Sequence, residues 1–456
     1  MTSKAAVSSR LNHFFQSKLY ILLVMVCIFL GNTTSTELFF AFCVLGCVVC
    51  ACFVCHDLRF LLPPLCGMVC SIPLAHTPYV PTESGFYTST SVLILFAVGV
   101  LLLLAGLTVF VLRNRKSVAL PRVSLRSLFL GFCAFAAALL LSGAFHPQND
   151  MKNFAYALGI AASFLVFYIF IALFHPRTKE NAEHFLFTMA ALGVCVVAEL
   201  IVLYITKVEF DGFFPVKNSI MIGWGTWTHI GALLTVSLPC ALYFAHSGKR
   251  WLPSLLTAAL LFIGIFMTAS RGAWLYGGIL LLVCLIYLSF SGENKKKTRL
   301  LLLIALGFAL VLALLLAGKI YDFLLSFLQV GFSDNGRFEL WHNALRTFAA
   351  YPIFGVGFFN TGIVLGGFPA LLPYLYHNTV LQMMASCGLI GCLLYLFHRA
   401  QTVALAIRKR HSSLCIFLLL SAAALVLVSL TDEHLFHIYP AFWYTAALYL
   451  AEGDYE

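Results

Sequence analysis

Along this chain apolar residues neither alternate nor recur in narrow stripes. They come in runs of about twenty, long enough as helix to cross the hydrocarbon layer of a bilayer, with short polar links between them. The runs are 19–31, 38–55, 60–77, 91–112, 127–145, 154–174, 185–206, 221–246, 252–269, 272–290, 300–317, 378–398, 412–430 and 438–450. The first and last are short, and 38–55 with 60–77 could form one re-entrant unit. The pattern therefore predicts an all-α polytopic membrane protein with about 12–14 transmembrane helices. One link is long, 318–377. A structureless link of that length is uncommon unless it is functional or partly folded.

Within this link, Ser333-Asp334-Asn335-Gly336 is turn and N-cap material, and Arg337 to Ala349 reads as an amphipathic helix. Phe338, Trp341, Leu345 and Phe348 share one face, with Arg337, Asn343 and Arg346 away from it. The expected position is on the membrane–water interface, aromatics down. Gly355-Val356-Gly357, Gly362, Gly366 and Gly367 follow, allowing tight turns and close backbone approach.

Composition removes the soluble alternatives: 61% of the 456 residues are hydrophobic and 10% charged. Basic residues near helix ends stay cytoplasmic. With the N-terminus inside, 21 of the 28 Lys and Arg residues fall in the cytoplasmic links. Only Lys152, Lys207, Lys217, Arg271, Lys319, Arg337 and Arg346 do not. This predicts an inner-membrane protein with cytoplasmic termini and 318–377 outside. The net charge of +10 then reflects topology and contact with membrane lipids, with no nucleic-acid partner. Gly31-Asn32-Thr33-Thr34 offers no signal-peptide cleavage site, so the first helix is expected to remain. The CxxC pairs Cys47/Cys50 and Cys52/Cys55 have no His or carboxylate converging on them, and packing is the expected role.

Cations on the outer side need a separate explanation, because the orientation rule supplies none. Arg271, in Thr268-Ala269-Ser270-Arg271-Gly272, interrupts a nearly continuous apolar run. It is either an interfacial anchor or an anion clamp, since guanidinium offers a fork that fits phosphate oxygens. Arg337 and Arg346 pose the same choice between a solvated face and a clamp. Together the three would neutralise a group carrying about two negative charges, such as a pyrophosphate. His377 ends the long link. It is a helix cap or a general base, its ordinary pKa suiting proton removal from a hydroxyl. Asn378 and Gln382 could orient it or a sugar. Asp432, Glu433, His434 and His437 read first as an interfacial turn and second as a metal site. There is no Walker loop, no GxGxxG opening a βα unit and no HExxH.

These residues carry a resemblance. Ser270-Arg271-Gly272, Gly336-Arg337 with Trp341 ahead of Pro352-Ile353-Phe354-Gly355-Val356-Gly357, and His377-Asn378-Thr379-Val380-Leu381-Gln382 running into Gly388-Leu389-Ile390-Gly391 resemble the O-antigen ligase and O-antigen polymerase superfamily. The resemblance covers about 221–400 and divides the chain into N-terminal helices (1–220), a ligase-like region (221–400) and C-terminal helices (401–456). It implies a GT-C-like glycosyltransferase with no cofactor and no metal. Such an enzyme moves glycan from undecaprenyl-pyrophosphate to an acceptor, either lipid A core or a growing polysaccharide. It implies His377 as base and Arg271 and Arg337 as pyrophosphate holders. In place of the family's Arg and Pro-Asn pair before the 221–246 run stands Lys217, a point charge instead of a fork. A capsular or teichuronic polymerase would use the same donor. A transporter of a small anion or lipid-linked sugar is the reading of another class, with Glu199 as its main intramembrane candidate.

Overall fold

The computed structural model describes residues 3–34, 36–67, 90–115, 127–146, 149, 151–211, 214–222, 225–246, 248–315, 317–318, 337–358, 360 and 376–455. Helices dominate: α1 Ser3–Phe15, α2 Lys18–Thr34, α3 Glu37–Val54, α4 Leu62–Gly67, α5 Thr90–Asn114, α6 Leu128–Leu140, α7 Met151–Phe174 and α8 Lys179–Thr206. They continue as α9 Trp227–Tyr243, α10 Trp251–Met267, α11 Arg271–Ser291, α12 Lys295–Leu315, α13 Arg337–Ala350, α14 Thr379–Arg408, α15 Ser413–Val428 and α16 Ile438–Ala451. The protein is an all-α polytopic membrane protein. Side chains of Ser127, Thr178, Asn378 and Ser412 accept first-turn amides and start α6, α8, α14 and α15.

Among the described residues six helices are long and apolar enough to cross a membrane, seven if α1 and α2, bent by 60° at Gln16-Ser17, count as one broken span. Several predicted runs fold shorter than their apolar length. α6 takes 13 residues of 127–145, and α15 takes 16 of 412–430, the remainder going to turns. The run 60–77 is corrected over its first part: Pro63-Pro64 sit in the six-residue, buried α4, too short to cross, and 68–77 lie outside the described residues. The run 221–246 is corrected too. Its helix begins only at Trp227, and two short antiparallel hairpins precede it. In these, β1 (Phe210–Asp211) pairs with β2 (Phe214–Pro215), and β3 (Met221–Ile222) pairs with β4 (Gly225–Thr226).

Helix polarity separates two ends. α9 runs from Trp227 towards Arg250, α11 from Arg271 towards Lys295, and α14 from Thr379 to Arg408. The residues singled out for chemistry therefore gather at one end and most basic residues at the other.

The glycine motifs explain how the long link is attached. At Gly388 α14 breaks, with φ 63° and ψ −163°. The break frees two carbonyls and two amides, and the segment 352–357 takes all four. Val356 N donates to Ala385 O at 3.1 Å and Gly357 N to Ser386 O at 3.0 Å, while Leu389 N donates to Pro352 O at 2.7 Å and Ile390 N to Ile353 O at 3.2 Å. Within a membrane protein such groups must be satisfied by protein, and here a strap of loop replaces the missing helical bonds. A Cβ on Gly388 would come within 2.5 Å of the Ile353 carbonyl, and one on Gly355 would collide with Ser386 backbone.

The helix expected at 337–349 is present as α13, and the face it packs on the protein is not the aromatic stripe. Leu340, Asn343, Ala344 and Thr347 are buried, while Phe338 and Leu345 are exposed. The row offset from the aromatic stripe packs on α14 because Ala344 and Thr347 permit close approach there.

Candidate functional site

Between the N-terminal ends of three helices lies a pocket of ≈ 270 Å³. Trp227 and Thr228 open α9, Arg271 and Gly272 open α11, and Arg337 and Phe338 open α13, and all six line it. Each helix start carries the partial positive charge of its dipole, so the backbone alone favours an anion here. Lys217, on the 3-10 turn between the hairpins, lines the same pocket with Arg271 and Arg337. Burial first, then these two guanidinium groups, push the Lys217 ammonium below its usual range. Three cations that the sequence placed about fifty residues or more apart thus share one concave space.

The opposite wall is polar and acidic. Asp432 and His434 line it, contributed by the turn between α15 and α16. His377 stands directly behind Asp432: its Nδ1 is 2.8 Å from Asp432 Oδ1 and 3.0 Å from Glu433 Oε2. Its side chain is 40% exposed, whereas those of Asp432 and Glu433 are 10% and 7% exposed, so the far side of the ring faces open space. Burial alone would depress the imidazole, but the hydrogen bonds and charges of the two carboxylates outweigh it and raise His377 to about 10. Burial would raise Asp432, yet pairing with His377 holds it well below the usual carboxylate range. Glu433 is pushed up to about 7 by burial and by Asp432. His434 and His437, buried first of all, drop to about 4 and stay neutral. His229 on α9 joins them, its Nε2 3.4 Å from His437 Nε2 and its Nδ1 2.9 Å from Thr226 Oγ1.

Backbone strain marks the same places. Among the described residues only Ala269, at φ 52°, and His377, at φ 50°, are non-glycine residues in the left-handed region. Such conformations cost about 1–3 kcal/mol and persist where surrounding structure over-determines them. Ala269 turns the chain so that Ser270 and Arg271 enter the pocket. His377 is held on both sides. Gln382 Oε1 accepts from Tyr376 N at 2.9 Å, and Asn378 Oδ1 accepts from Val380 N and Leu381 N at 2.9 and 3.1 Å. Trp341 Nε1 on α13 donates to Tyr376 O at 3.1 Å, tying the arginine-bearing helix to the histidine.

The predicted site residues thus divide. Lys217, Arg271 and Arg337 converge, with His377 beside them. Arg346 is exposed and does not line the pocket with them. Of the two residues expected to orient His377 or a sugar, Asn378 caps α14, and Gln382 is fully buried with its Nε2 on Ser386 Oγ at 2.7 Å. Both bond backbone amides next to His377 in the chain. Glu199, the intramembrane candidate, is buried and accepts from Asn32 Nδ2 at 3.1 Å. The role of Asp432 and Glu433 as partners of His377 was missed. The available signal was parity, since the 431–437 turn and the long link fall on the same predicted side. The Nδ1 and carboxylate oxygens of His377, Asp432 and Glu433 lie within 4.8 Å of one another, a donor set that also fits a cation. The raised imidazole supplies that positive charge itself.

Fold and site define a multi-pass helical membrane protein with a cation-lined pocket beside a histidine–carboxylate triad. Residues 256–396 match the family model of O-antigen ligase. The match runs from α10 into α14. It includes Arg271, Arg337 and His377 and leaves out Lys217, Asp432 and Glu433. No curated protein matches the chain.

Proposed function

We propose that this protein is a membrane glycosyltransferase of the O-antigen ligase type, moving a glycan from undecaprenyl-pyrophosphate to an acceptor hydroxyl at the outer face of the inner membrane. The observation that carries the reading is the convergence of Lys217, Arg271, Arg337 and three helix N-termini on one small pocket beside His377. A volume of ≈ 270 Å³ is at the small end for a ligand site and suits a diphosphate with its lipid tail outside. The acceptor oxygen bonds to the anomeric carbon as the carbon–oxygen bond to pyrophosphate breaks. The electron pair leaves with the carrier, onto charges already in place. The acceptor proton goes to His377 Nε2, which the Nδ1 contact to Asp432 leaves as the accepting atom. Divalent metal has no required part in this scheme.

The pairing changes the pH expectation. With a pKa of about 10 only about one site in a thousand holds neutral imidazole at pH 7. The stronger base offsets part of that deficit. Turnover is therefore expected to rise with pH between about 6 and 9, where an unpaired histidine would level off near 7.

The test is glycan transfer by the purified, reconstituted protein with undecaprenyl-pyrophosphate glycan and either lipid A core or a second repeat unit as acceptor. Lipid A core as the productive acceptor supports ligase. Chain extension on the repeat unit instead makes it a polymerase with the same donor chemistry. His377→Ala should retain donor binding and lose about 10²–10⁴-fold in turnover. Normal turnover in that variant removes the base assignment. Transfer should survive EDTA, and loss restored by added Mg²⁺ or Mn²⁺ would turn the triad into a metal site.

A further inference from the structure

At the end of the bundle opposite the pocket, an open groove of ≈ 690 Å³ runs between α2, α8, α9 and α10. Its walls are almost wholly apolar. It exists because α8 contributes Ala190, Ala191 and Ala198 and α9 contributes Ala241, small side chains that leave the space between α2 and α10 unfilled. Two cations line it, Lys18 at the start of α2 and Arg250 just before α10. Lys18 Nζ lies 4.9 Å from the Phe187 ring centre and 5.5 Å from that of Phe244, and Arg250 Cζ lies 5.9 Å from the same Phe244 ring. The two charges converge on one aromatic and are close enough to repel each other. Glu183 is the one carboxylate whose charge bears on Lys18, so two cations face a single anion at the mouth of the groove.

The length of the groove selects its occupant. It follows α2 from Lys18 to Phe29, about eleven residues or ~16 Å of helix, which is about half of a ~30 Å hydrocarbon core. That is the depth of one leaflet. We infer that this groove binds an anionic phospholipid of the leaflet at the basic end, its phosphate between Lys18 and Arg250 and an acyl chain along the alanines of α8. Charge complementarity at the mouth and single-leaflet depth carry the assignment. It is independent of the glycosyl-transfer reading, because it concerns the other end of the molecule and is measured by lipid binding alone.

The experiment uses the full chain purified in neutral detergent, with bound lipid counted by native mass spectrometry during titration with phosphatidylglycerol or phosphatidylcholine. Wild type should retain one phosphatidylglycerol at least about tenfold more tightly than phosphatidylcholine. The Lys18→Gln, Arg250→Gln double variant should lose that preference, and Lys18→Arg with Arg250→Lys should keep it, which separates charge from misfolding. Lys295→Gln with Lys296→Gln on α12, at the same end but not lining the groove, should also keep it. Equal retention of the two lipids by wild type would overturn the proposal, as would loss of preference in the α12 variant, the sign of diffuse attraction to basic residues. Displacement of the lipid by stoichiometric undecaprenyl phosphate, unmatched by excess phosphatidylglycerol, would overturn it in favour of a carrier-lipid site.

Discussion

His377 shows how much a single environment changes. Its pairing raises the pKa from 6.5 to about 10, so the ion pair contributes fully below about 6.5 and is lost as pH rises through about 10. Asp432 is held low, so its contribution is present above the ordinary carboxylate range and lost on acidification. Asp432→Asn removes one of the two carboxylates supporting the imidazolium. The rise of transfer with pH should then shift to lower pH, read as the pH profile of turnover; an unmoved profile would disconnect the pair from catalysis. The cations differ among themselves in the same way. Arg271→Ala and Arg337→Ala should each lower transfer by about ten- to a hundredfold, the scale of a hydrogen bond to a charged group. Arg346→Ala, exposed and outside the pocket, should transfer at the wild-type rate. Equal losses for all three in the same assay would mean that the arginines act as membrane anchors.

At the scale of elements, the site is an assembly of ends. The segment 352–357 restores the hydrogen bonds lost where α14 breaks at Gly388, and His377 is the residue just before the cap of that helix. Gly388→Ala combines left-handed strain with a clash against the Ile353 carbonyl. It should cost about 1–3 kcal/mol, seen as a lower melting temperature and faster proteolysis in the 337–360 region. An unchanged melting temperature would mean that strap and helix are independent. The motif pair Pro352 to Gly357 and Gly388 to Gly391 was legible in the sequence as glycine-rich turn and close packing. That one completes the other was not legible, because the partners are backbone atoms and carry no residue signature.

For the whole molecule the decisive property is the separation of two ends, one basic and one carrying the candidate site, by helices that run between them. Cysteine labelling from outside, on a background without accessible native cysteines, should modify Glu339→Cys on α13 and leave Lys296→Cys on α12 untouched. The reverse pattern would invert the orientation and remove the proposed access to an outer-face donor.

Hydropathy and local motifs determined that this is a helical multi-pass membrane protein, and they singled out Arg271, Arg337 and His377 as the candidates for its chemistry. Those properties follow from transfer free energy and short-range spacing, which a linear chain displays openly. Tertiary structure alone decided that Lys217 joins the two arginines, that Arg346 does not, and that Asp432 and Glu433 reach across from the last hairpin to hold His377 as a cation. Those depend on which helix ends meet, and about fifty residues or more separate the partners along the chain.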